Sequence, residues 1–443
     1  MKIFITQLFL FLFTFAAFAQ ENLSLEEAIV RGIENNYQIQ IDQRNIQIAE
    51  NNNDWAVAGK TPRVSANLNG QATYTNQNNP ASFFTSLNTT GLGVTPGLSA
   101  NWTLFDGYRI RFTKDQLGGI ERLQRKNAML TVENTVQSVI LAYYNVLIQQ
   151  EQLSVLREVL ELSNDRVAYQ EVRKEFGQAG TFDVLQTQDA YLNDSTSLLI
   201  QLNSIETAFL NLNLAMGVDE MSQNYTLTDQ LVFAARDYTY EELQEQMLNR
   251  NQNLQVLRVN QELAQINSNI QKSAMYPQLS VGANTTYNVN LNNGTGTAND
   301  GREINFDGIT AKTFNGGLNF TASYTIFDGG VRNKQLQNAQ VEEEIAELNI
   351  EAFKRNANNQ LANTLATYNN QKRLLDLTQL RIDNAQRNIE IAEERFRGGL
   401  INSFDYRTIQ LNYVNSAQAR LNAIFNLRNT ETELVRITGG LVR

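Results

Sequence analysis

The hexapeptide WTLFDG at residues 102–107 returns as YTIFDG at residues 324–329, about 222 residues later in the chain. A second pair of copies, Phe182-Asp183 and Phe404-Asp405, keeps the same spacing. A solenoid repeat is only roughly 20–50 residues long, so this spacing indicates a different architecture. Each copy combines strand-like segments with long helical segments, and the pattern predicts two large internal repeats, at 20–238 and 239–443.

The start of the chain is typical of a secretory signal peptide. Lys2 supplies a positive charge, an almost wholly apolar stretch runs from Ile3 to Phe15, and Ala17-Phe18-Ala19 is a small-x-small cleavage site. The alternative is an N-terminal membrane anchor, but the apolar stretch is shorter than the ~20 residues of a spanning helix. We therefore expect a signal peptide at 1–19 and a mature chain that begins at Gln20.

The composition excludes several classes of protein. The 443 residues include no cysteine and no histidine, so disulfides, thiolate metal sites and the commonest general base are excluded. Two carboxylates would suffice for glycoside hydrolysis, but no isolated pair is evident. The formal net charge of −10 argues against nucleic acid as a partner. We expect a protein that is not an enzyme and has neither a cofactor nor a metal site.

Four segments alternate between apolar and polar side chains in the manner of membrane strands. They lie at about 62–75, 97–106, 277–290 and 316–328, and each contains about 10 alternating residues, which matches a tilted spanning strand. Asn/Thr/Gly-rich loops are expected between the members of each pair, the first from about 76 to 97. The polar faces carry small Ser, Thr, Asn and Gly, which suits a water-filled lumen. The alternative is a soluble antiparallel sheet with one wet face.

Long helices flank these strands. Period-3.6 patterns predict helices at 24–59, 108–176, 181–216, 240–275, 330–397 and 402–437. Ser24 is the expected cap of the first helix, with Glu27 as its capping-box partner. A coiled-coil seam with 4-3-4-3-4 spacing is formed by Leu198, Leu202, Ile205, Phe209, Leu212 and Met216. A helix of about 70 residues spans roughly 100 Å, and two shorter helices end to end match that length. The polar segment 217–238 would lie at mid-height, where the shorter helices meet.

The number of strands predicts an oligomer. After the signal peptide no run of about 18 apolar residues occurs, so a membrane crossing would require a closed barrel. Four strands cannot close a membrane barrel, because the smallest have about eight. A dimer would supply about eight strands and a trimer about twelve, and we favour the trimer because a dimer would leave little lumen.

The chain resembles the TolC-type outer-membrane efflux protein family over its whole mature length. The motifs that carry the resemblance are Leu23–Ala28, the helix-to-strand prolines Pro62 and Pro277, Leu104–Gly107, Ile326–Gly329, Ala142–Asn145, and Phe396–Gly399 through Phe404-Asp405. The resemblance implies a mainly α trimer with a shared 12-stranded outer-membrane β-barrel that continues into a coiled-coil α-barrel tunnel in the periplasm. It also implies a passive exit duct for a tripartite efflux pump or a type I secretion system, docked to a periplasmic adaptor and an inner-membrane RND or ABC transporter.

Two glycine-containing helix-hairpin tips are the candidate docking surface for the adaptor. The first comprises Gly177, Gln178, Ala179, Gly180 and Thr181, and the second comprises Gly398, Gly399, Leu400, Ile401, Asn402 and Ser403. Glycine permits the sharp reversal, while Thr181 and Ser403 are the expected caps of the outgoing helices. The alternative interpretation is that both segments are simply tight turns with no role in docking. Exposed Gln178, Ala179, Leu400 and Ile401 would pack against the adaptor, since neighbouring apolar residues at a turn are unusual unless covered.

Charged residues beside the tips are candidates for lining or gating the aperture, which is the opening at the tip end of the tunnel that the resemblance implies. Asp183 and Asp405 lie in the first turn of the outgoing helices, where one explanation is favourable interaction with the helix dipole. The alternative is an acidic ring around the aperture, and Asp405 resembles the family's aperture aspartate. A second family aspartate, three residues on, is replaced by Thr408 in one copy and Gln186 in the other. Three arginines near the second tip would hold the aperture closed through ion pairs with neighbouring helices: Arg395, Arg397 and Arg407.

The favoured function is therefore a passive export channel in the cell outer membrane that extends into the periplasm. Its expected partners are two further copies of the chain, the adaptor, the inner-membrane transporter and outer-membrane lipid. The competing interpretation is a structural coiled-coil tether of the outer membrane that needs no lumen. The small polar residues on the strands favour the channel.

Overall fold

The computed structural model describes residues 21–231 and 236–441. The predicted signal peptide at 1–19 therefore lies outside the described residues. The helices are α1 (Leu25–Asn35), α2 (Tyr37–Asn52), α3 (Arg109–Glu175), α4 (Thr181–Met216), α5 (Tyr240–Arg250), α6 (Gln252–Ser273), α7 (Val331–Arg397) and α8 (Ser403–Ile437). The strands are β1 (Glu21–Leu23), β2 (Arg63–Asn78), β3 (Phe84–Phe105), β4 (Tyr225–Leu227), β5 (Gln278–Ala298) and β6 (Glu303–Ser323).

The long helices begin and end close to the expected positions, and their lengths match between the two halves of the chain. Helices α3 and α7 have 67 residues each, and α4 and α8 have 36 and 35. The predicted capping box at the start of α1 is confirmed: Ser24 Oγ accepts from the Glu27 N–H at 3.2 Å, and the Ser24 N–H donates to Glu27 Oε2 at 2.9 Å. In the seam of α4, Phe209, Leu212 and Met216 are buried, whereas Leu202 is exposed.

Two helices that the sequence predicted as continuous are each broken by an asparagine. The helix expected at 24–59 is divided at Asn36, whose Oδ1 accepts from the N–H groups of Gln38 and Ile39. The helix expected at 240–275 is divided at Asn251, whose Oδ1 accepts from the Leu254 N–H at 3.0 Å. In both cases an asparagine side chain caps the next helix, so the expectation of one unbroken helix was wrong.

Strands β2, β3, β5 and β6 form one antiparallel sheet in the order β2-β3-β5-β6. The strands are longer than predicted, and most of the expected loop at 76–97 belongs to β2 and β3: Asn76 pairs with Asn88, and Thr75 with Thr89. The Asn, Thr and Gly residues that indicated a loop instead form backbone hydrogen bonds between the paired strands. At its end, β6 stops at Ser323, short of the predicted 328.

Both edges of this sheet are open within the chain. Among the described residues, β2 pairs only with β3 and β6 pairs only with β5. Because neighbouring strands alternate in direction, β2 and β6 run antiparallel to one another. Two copies of the chain could therefore pair β2 against β6 with the same antiparallel geometry as the rest of the sheet.

The chain divides into two compact units. One contains the described parts of Met1–Gln43, Asn127–Gln255 and Ala352–Arg443, and the other contains Arg44–Lys126 and Val256–Glu351. Each unit takes segments from both halves of the sequence, because the ladder between β3 and β5 joins the halves in the second unit. The compact units therefore differ from the sequential repeats at 20–238 and 239–443.

The first unit has two main clusters of buried side chains. One surrounds the parallel pair β1–β4 and includes Leu23, Tyr143, Leu212, Met216 and Tyr225. Tyr143 donates its hydroxyl to the Leu23 carbonyl and to Asp229 at 3.0 and 2.7 Å, so part of the segment 217–238 is fixed against α3. The other cluster joins α5, α7 and α8 through Met247, Leu361, Tyr368, Leu427 and Leu434.

The second unit contains the sheet and the turns where its strands meet the helices. Gly107, which follows β3, has a φ of +70°, and an added Cβ would meet the Ser273 carbonyl and lie 2.8 Å from the Cβ of Tyr276. Its counterpart after β6, Gly329, has a φ of +68° but open space around it. Over the described residues, no helix has the length and apolar character needed to cross a bilayer.

The matched glycines allow backbone strain to be separated from crowding. We expect Gly329→Ala to cost about 1–2 kcal/mol from the left-handed backbone alone, and Gly107→Ala to cost at least about twice as much because of the added clash. The measurement is the midpoint of thermal unfolding of both variants in detergent, followed by circular dichroism. Equal midpoints for the two variants would contradict the close packing at Gly107.

Candidate functional site at the helix-hairpin tips

Each hairpin tip begins with the same backbone motif. At the end of α3, Gly177 has a φ of +72°, and the Gln178 N–H donates to the Arg173 carbonyl at 2.8 Å. At the end of α7, Gly399 has a φ of +70°, and the Leu400 N–H donates to the Arg395 carbonyl at 2.8 Å. This six-residue closure is a Schellman motif, which requires a left-handed residue and therefore favours glycine. Gly398 lies one residue earlier and does not have a positive φ.

The caps of the outgoing helices differ from the prediction, which assigned them to Thr181 and Ser403. Helix α4 is preceded by Gly180, whose N–H donates to Asp183 Oδ2 at 2.8 Å. Helix α8 is capped by Asn402, whose Oδ1 accepts from the Asp405 N–H at 2.8 Å. Thr181 and Ser403 are the first helical residues, because the preceding residue in each tip adopts the extended conformation that a cap requires.

The exposure of the tips is also less uniform than expected. Leu400 is 77% exposed, but its neighbour Ile401 is half-buried against Phe396 and Tyr406. Gln178 is exposed and Ala179 is half-buried. Of the two adjacent apolar residues predicted to be uncovered, therefore, only Leu400 is presented to solvent.

An aromatic cluster holds the second tip against α3. Phe396 of α7 stacks on Tyr406 of α8 with their ring centroids 5.2 Å apart, and it meets Tyr169 of α3 edge-on at 5.5 Å. The Tyr169 hydroxyl donates to the Arg397 carbonyl at 2.8 Å. In contrast, the first tip presents Phe176 and Phe182, each 75% exposed. The two tips therefore share a backbone motif but differ in how they are anchored.

Residues from both tips border one groove of about 360 Å³. Its walls include Asp183 and Asp405 together with Gln178, Leu400 and Asn402. Asp183 is half-buried and binds the Gly180 N–H, whereas Asp405 is exposed. The two aspartates singled out from the sequence are thus brought to the same groove, with different local roles.

The three predicted gating arginines lie in three different environments. Arg395 is exposed. Arg397 pairs with Glu393 of its own helix at 2.5 Å, and its predicted pairing with a neighbouring helix stays a prediction. Arg407 of α8 makes a two-pronged ion pair with Asp194 of α4, at 2.6 and 2.7 Å. Of the three, Arg407 alone joins two helices within the part of the chain that the structure describes.

The pair between Arg407 and Asp194 is the centre of a buried polar network. Asp194 also accepts from Ser163 Oγ at 2.5 Å, and Gln410 Nε2 donates to Ser163 Oγ at 2.8 Å. Asp194, Ser163 and Gln410 are all buried, and they belong to α4, α3 and α8. Sequence analysis missed this network, because Asp194 carries no local motif and its partner is 213 residues away.

Arg166 of α3 lies beside the network and is 3% exposed. Its Nε and Nη1 atoms are buried, with no hydrogen-bond partner among the described residues, and its guanidinium lies 5.6 Å from the centre of the Tyr406 ring. Burial, together with the positive charge of Arg407, lowers the pKa of Arg166 to about 10. Arg407 is therefore paired directly with Asp194, whereas Arg166 has no direct ion pair and is attracted to the same carboxylate only at longer range.

The Asp194–Arg407 pair should stabilise the tip region. Replacing Arg407 with Leu leaves Asp194 buried without its direct ion-pair partner, and we expect a loss of about 3 kcal/mol, seen as a lower midpoint of thermal unfolding. The double variant Asp194→Leu/Arg407→Leu should recover much of that loss.

The matched control is Arg397→Leu, which breaks only an exposed pair within one helix and should cost less than about 1 kcal/mol. If Arg407→Leu behaved like Arg397→Leu, the network would have no structural role.

Several solved bacterial outer membrane proteins share this fold. The CmeC outer membrane channel of Campylobacter jejuni matches with a TM-score of 0.74 and 17% identity, covering 94% of this chain and 85% of that chain. The outer membrane protein VceC of Vibrio cholerae matches with a TM-score of 0.72 and 15% identity, covering 94% of this chain and 96% of that chain. The open-state MtrE channel of Neisseria gonorrhoeae matches with a TM-score of 0.66 and 17% identity, covering 94% of this chain and 89% of that chain. At these identities the likeness is one of fold. Among curated proteins, no significant match was found.

A family model described as "Outer membrane efflux protein" matches residues 28–218 and 243–440. These segments cover most of the chain and include both helix-hairpin tips. The chain therefore belongs to the outer membrane efflux protein family.

Proposed function

We propose that this protein is the passive outer-membrane export channel, and the periplasmic tunnel, of a tripartite efflux pump or type I secretion system. The observation that carries the proposal is the open four-stranded sheet, whose edges β2 and β6 both lack a partner strand among the described residues. Membership in the outer membrane efflux protein family supports export as the direction of transport. CmeC and MtrE, which share the fold, are described as outer membrane channels.

The open edges favour a ring of several copies. In hydrocarbon, unpaired backbone groups cost several kcal/mol each, so a membrane sheet must close on itself. The edge β2 of one copy would pair with β6 of the next, which is a head-to-tail contact of the kind that generates rings. Three copies would supply about twelve strands, enough for a barrel with a lumen.

The near absence of charge on β2 and β3 fits strands that lie in a membrane. Residues 64–105, which include all of β3 and nearly all of β2, contain no Asp, Glu, Lys or Arg. On β2, Val64 and Leu68 are about 70% exposed, at 69% and 71%. These exposed apolar residues would be costly in water and are suited to lipid.

The tips would dock onto a periplasmic adaptor that connects the duct to an inner-membrane RND or ABC transporter. Support comes from the exposed apolar side chains around the turns, namely Phe176, Phe182, Leu400 and Phe404. Such residues need a cover, and a helical-hairpin partner of matching shape would provide it. Energy and cargo selection would reside in the transporter, and the duct itself would hydrolyse nothing.

The aperture would be formed by three copies of the groove at the tips. Asp183 and Asp405 border this groove, and in a ring they would favour cations at the entrance. The Asp194–Arg407 pair, which joins α4 to α8, would then help to hold the aperture closed. Arg395 and Arg397 remain candidates for contacts between copies.

The ring can be tested with paired cysteines, because the natural chain has none. One set of variants carries a cysteine along β2, near Ala72, and a second cysteine at successive positions of β6 around Leu318. We expect oxidation in cell envelopes to give dimer and trimer bands and nothing larger, and the cross-linked trimer to conduct ions in planar bilayers.

Single-cysteine variants are the control, since they cannot form a closed ring. A series of cross-linked bands that stops at the dimer, or continues beyond the trimer, would exclude the trimer. A cross-linked trimer that does not conduct would favour the alternative function, a structural tether of the outer membrane.

Docking can be tested separately by photo-crosslinking in living cells. A photoreactive residue at Gln178 or Leu400 should capture a periplasmic adaptor, identified by mass spectrometry, whereas the same probe at exposed Asp219 should not. Capture from Asp219 alone, or only of peptidoglycan-associated proteins from the tips, would contradict docking through the tips.

A further inference from the structure

Two tryptophans and two lysines meet where the sheet joins the helices in the first half of the chain. Lys60 and Lys114 place their ammonium groups 4.4 and 5.9 Å from the centre of the Trp55 ring. Trp102, near the end of β3, donates its indole N–H to the Lys60 carbonyl at 2.8 Å. These four residues, called here the Trp–Lys cluster, all belong to the same compact unit.

The lysines of the Trp–Lys cluster have no direct carboxylate partner among the described residues, although Glu121 lies close enough to Lys114 to attract its charge. Over the described residues, neither ammonium group forms an ion pair with a carboxylate, and Lys114 donates to Asn53 Oδ1. Glu121 also binds Asn53, at 2.7 Å, but it is engaged by Arg125 at 3.0 Å. Two cations therefore share one aromatic ring in a chain whose formal net charge is −10.

The cluster lies at the end of an uncharged apolar surface. Trp102 shares a face of β3 with Leu98, since residues an even number of positions apart point to the same side of a strand. Leu104 follows at the irregularity between Thr103 and Phe105. All three are about half exposed, at 44%, 53% and 51%, and Trp55 is 41% exposed. The cluster thus combines exposed indole rings, fixed cations and a neighbouring apolar face, which are the three features of a membrane-interface site.

The junction in the second half of the chain lacks these residues. By the alignment of Pro62 with Pro277 and of Asp106 with Asp328, the positions of Trp55, Lys60 and Lys114 are occupied by Ile270, Met275 and Leu336. The same strand-to-helix turn is built there without either lysine. The Trp–Lys cluster is therefore not a requirement of the fold.

We propose that the Trp–Lys cluster binds the headgroup of an anionic phospholipid, with the acyl chains lying along the apolar face of β3. The phosphate would meet Lys60 and Lys114, and the indoles of Trp55 and Trp102 would lie at the level of the glycerol backbone. This inference rests on the proposed function, because it places the sheet in the outer membrane.

The test is native mass spectrometry of the full-length protein in detergent, with phosphatidylglycerol and phosphatidylcholine of identical acyl chains as probes. We expect preferential retention of phosphatidylglycerol, and a loss of affinity on the order of tenfold in Lys60→Gln/Lys114→Gln. The matched control is Lys272→Gln/Lys334→Gln, which removes the same charge at the other junction and should change affinity less than about twofold.

Three outcomes would overturn the inference: equal binding of the two lipids, an equal loss in both double variants, or displacement of the lipid by inorganic phosphate, which would indicate a site for soluble anions. Trp55→Leu gives a second check, since removing the ring should weaken the binding of phosphatidylglycerol without changing the charge of the protein.

Bilayer conductance of the same preparations is measured in parallel. Normal conductance without lipid preference refutes only the lipid site, whereas absent conductance refutes the proposed function.

Discussion

The backbone ladder between β3 and β5 is the constraint on which the rest of the fold depends. It pairs residues from Phe84 to Phe105 with residues from Leu279 to Ala298, so strands almost two hundred residues apart share one sheet. The close approach at Gly107 lies beside this ladder and packs the turn after β3 against the residues just before β5. Because the two halves are joined here, neither can form its part of the sheet as a complete unit.

The two halves of the chain use one backbone plan with different side-chain chemistry. The left-handed glycines Gly177 and Gly399 close the two tips in the same way, yet only the second tip is anchored by an aromatic cluster. The junctions differ in the same manner, since Lys60 and Lys114 have no basic counterparts in the second half. The two halves share the left-handed glycines that the turns require. They differ in side chains that the backbone conformation does not constrain.

Much of the fold could be predicted from sequence because helix and strand periods are local signals. The 67-residue helices and the cap at Ser24 are examples. The breaks at Asn36 and Asn251 were missed because an asparagine that caps a new helix looks, in sequence, like any polar residue on an exposed helix face. The strands were drawn too short because polar residues such as Asn88 satisfy a ladder as well as they satisfy a loop.

The candidate site was less predictable, since its chemistry depends on contacts between distant segments. The glycines of the tips were found from their local pattern, whereas the buried pair of Asp194 and Arg407 joins residues with no shared motif. The uncovered aromatic rings at Phe182 and Phe404 were visible as a repeated dipeptide, but only the structure shows that both are exposed. Long-range polar networks of this kind become evident only when the helices are placed side by side.

The unpaired edges of β2 and β6 also bear on how the protein is made. A single copy inserted into a bilayer would leave two rows of backbone groups without partners, so insertion and assembly would have to be one event. If the sheet closes only with further copies, as proposed, each newly exported chain would carry two unpaired strand edges until it assembles. Periplasmic chaperones that shield strand edges would then determine the yield of the assembled protein, and mutations that slow assembly would appear as proteolysis rather than as a defective pore.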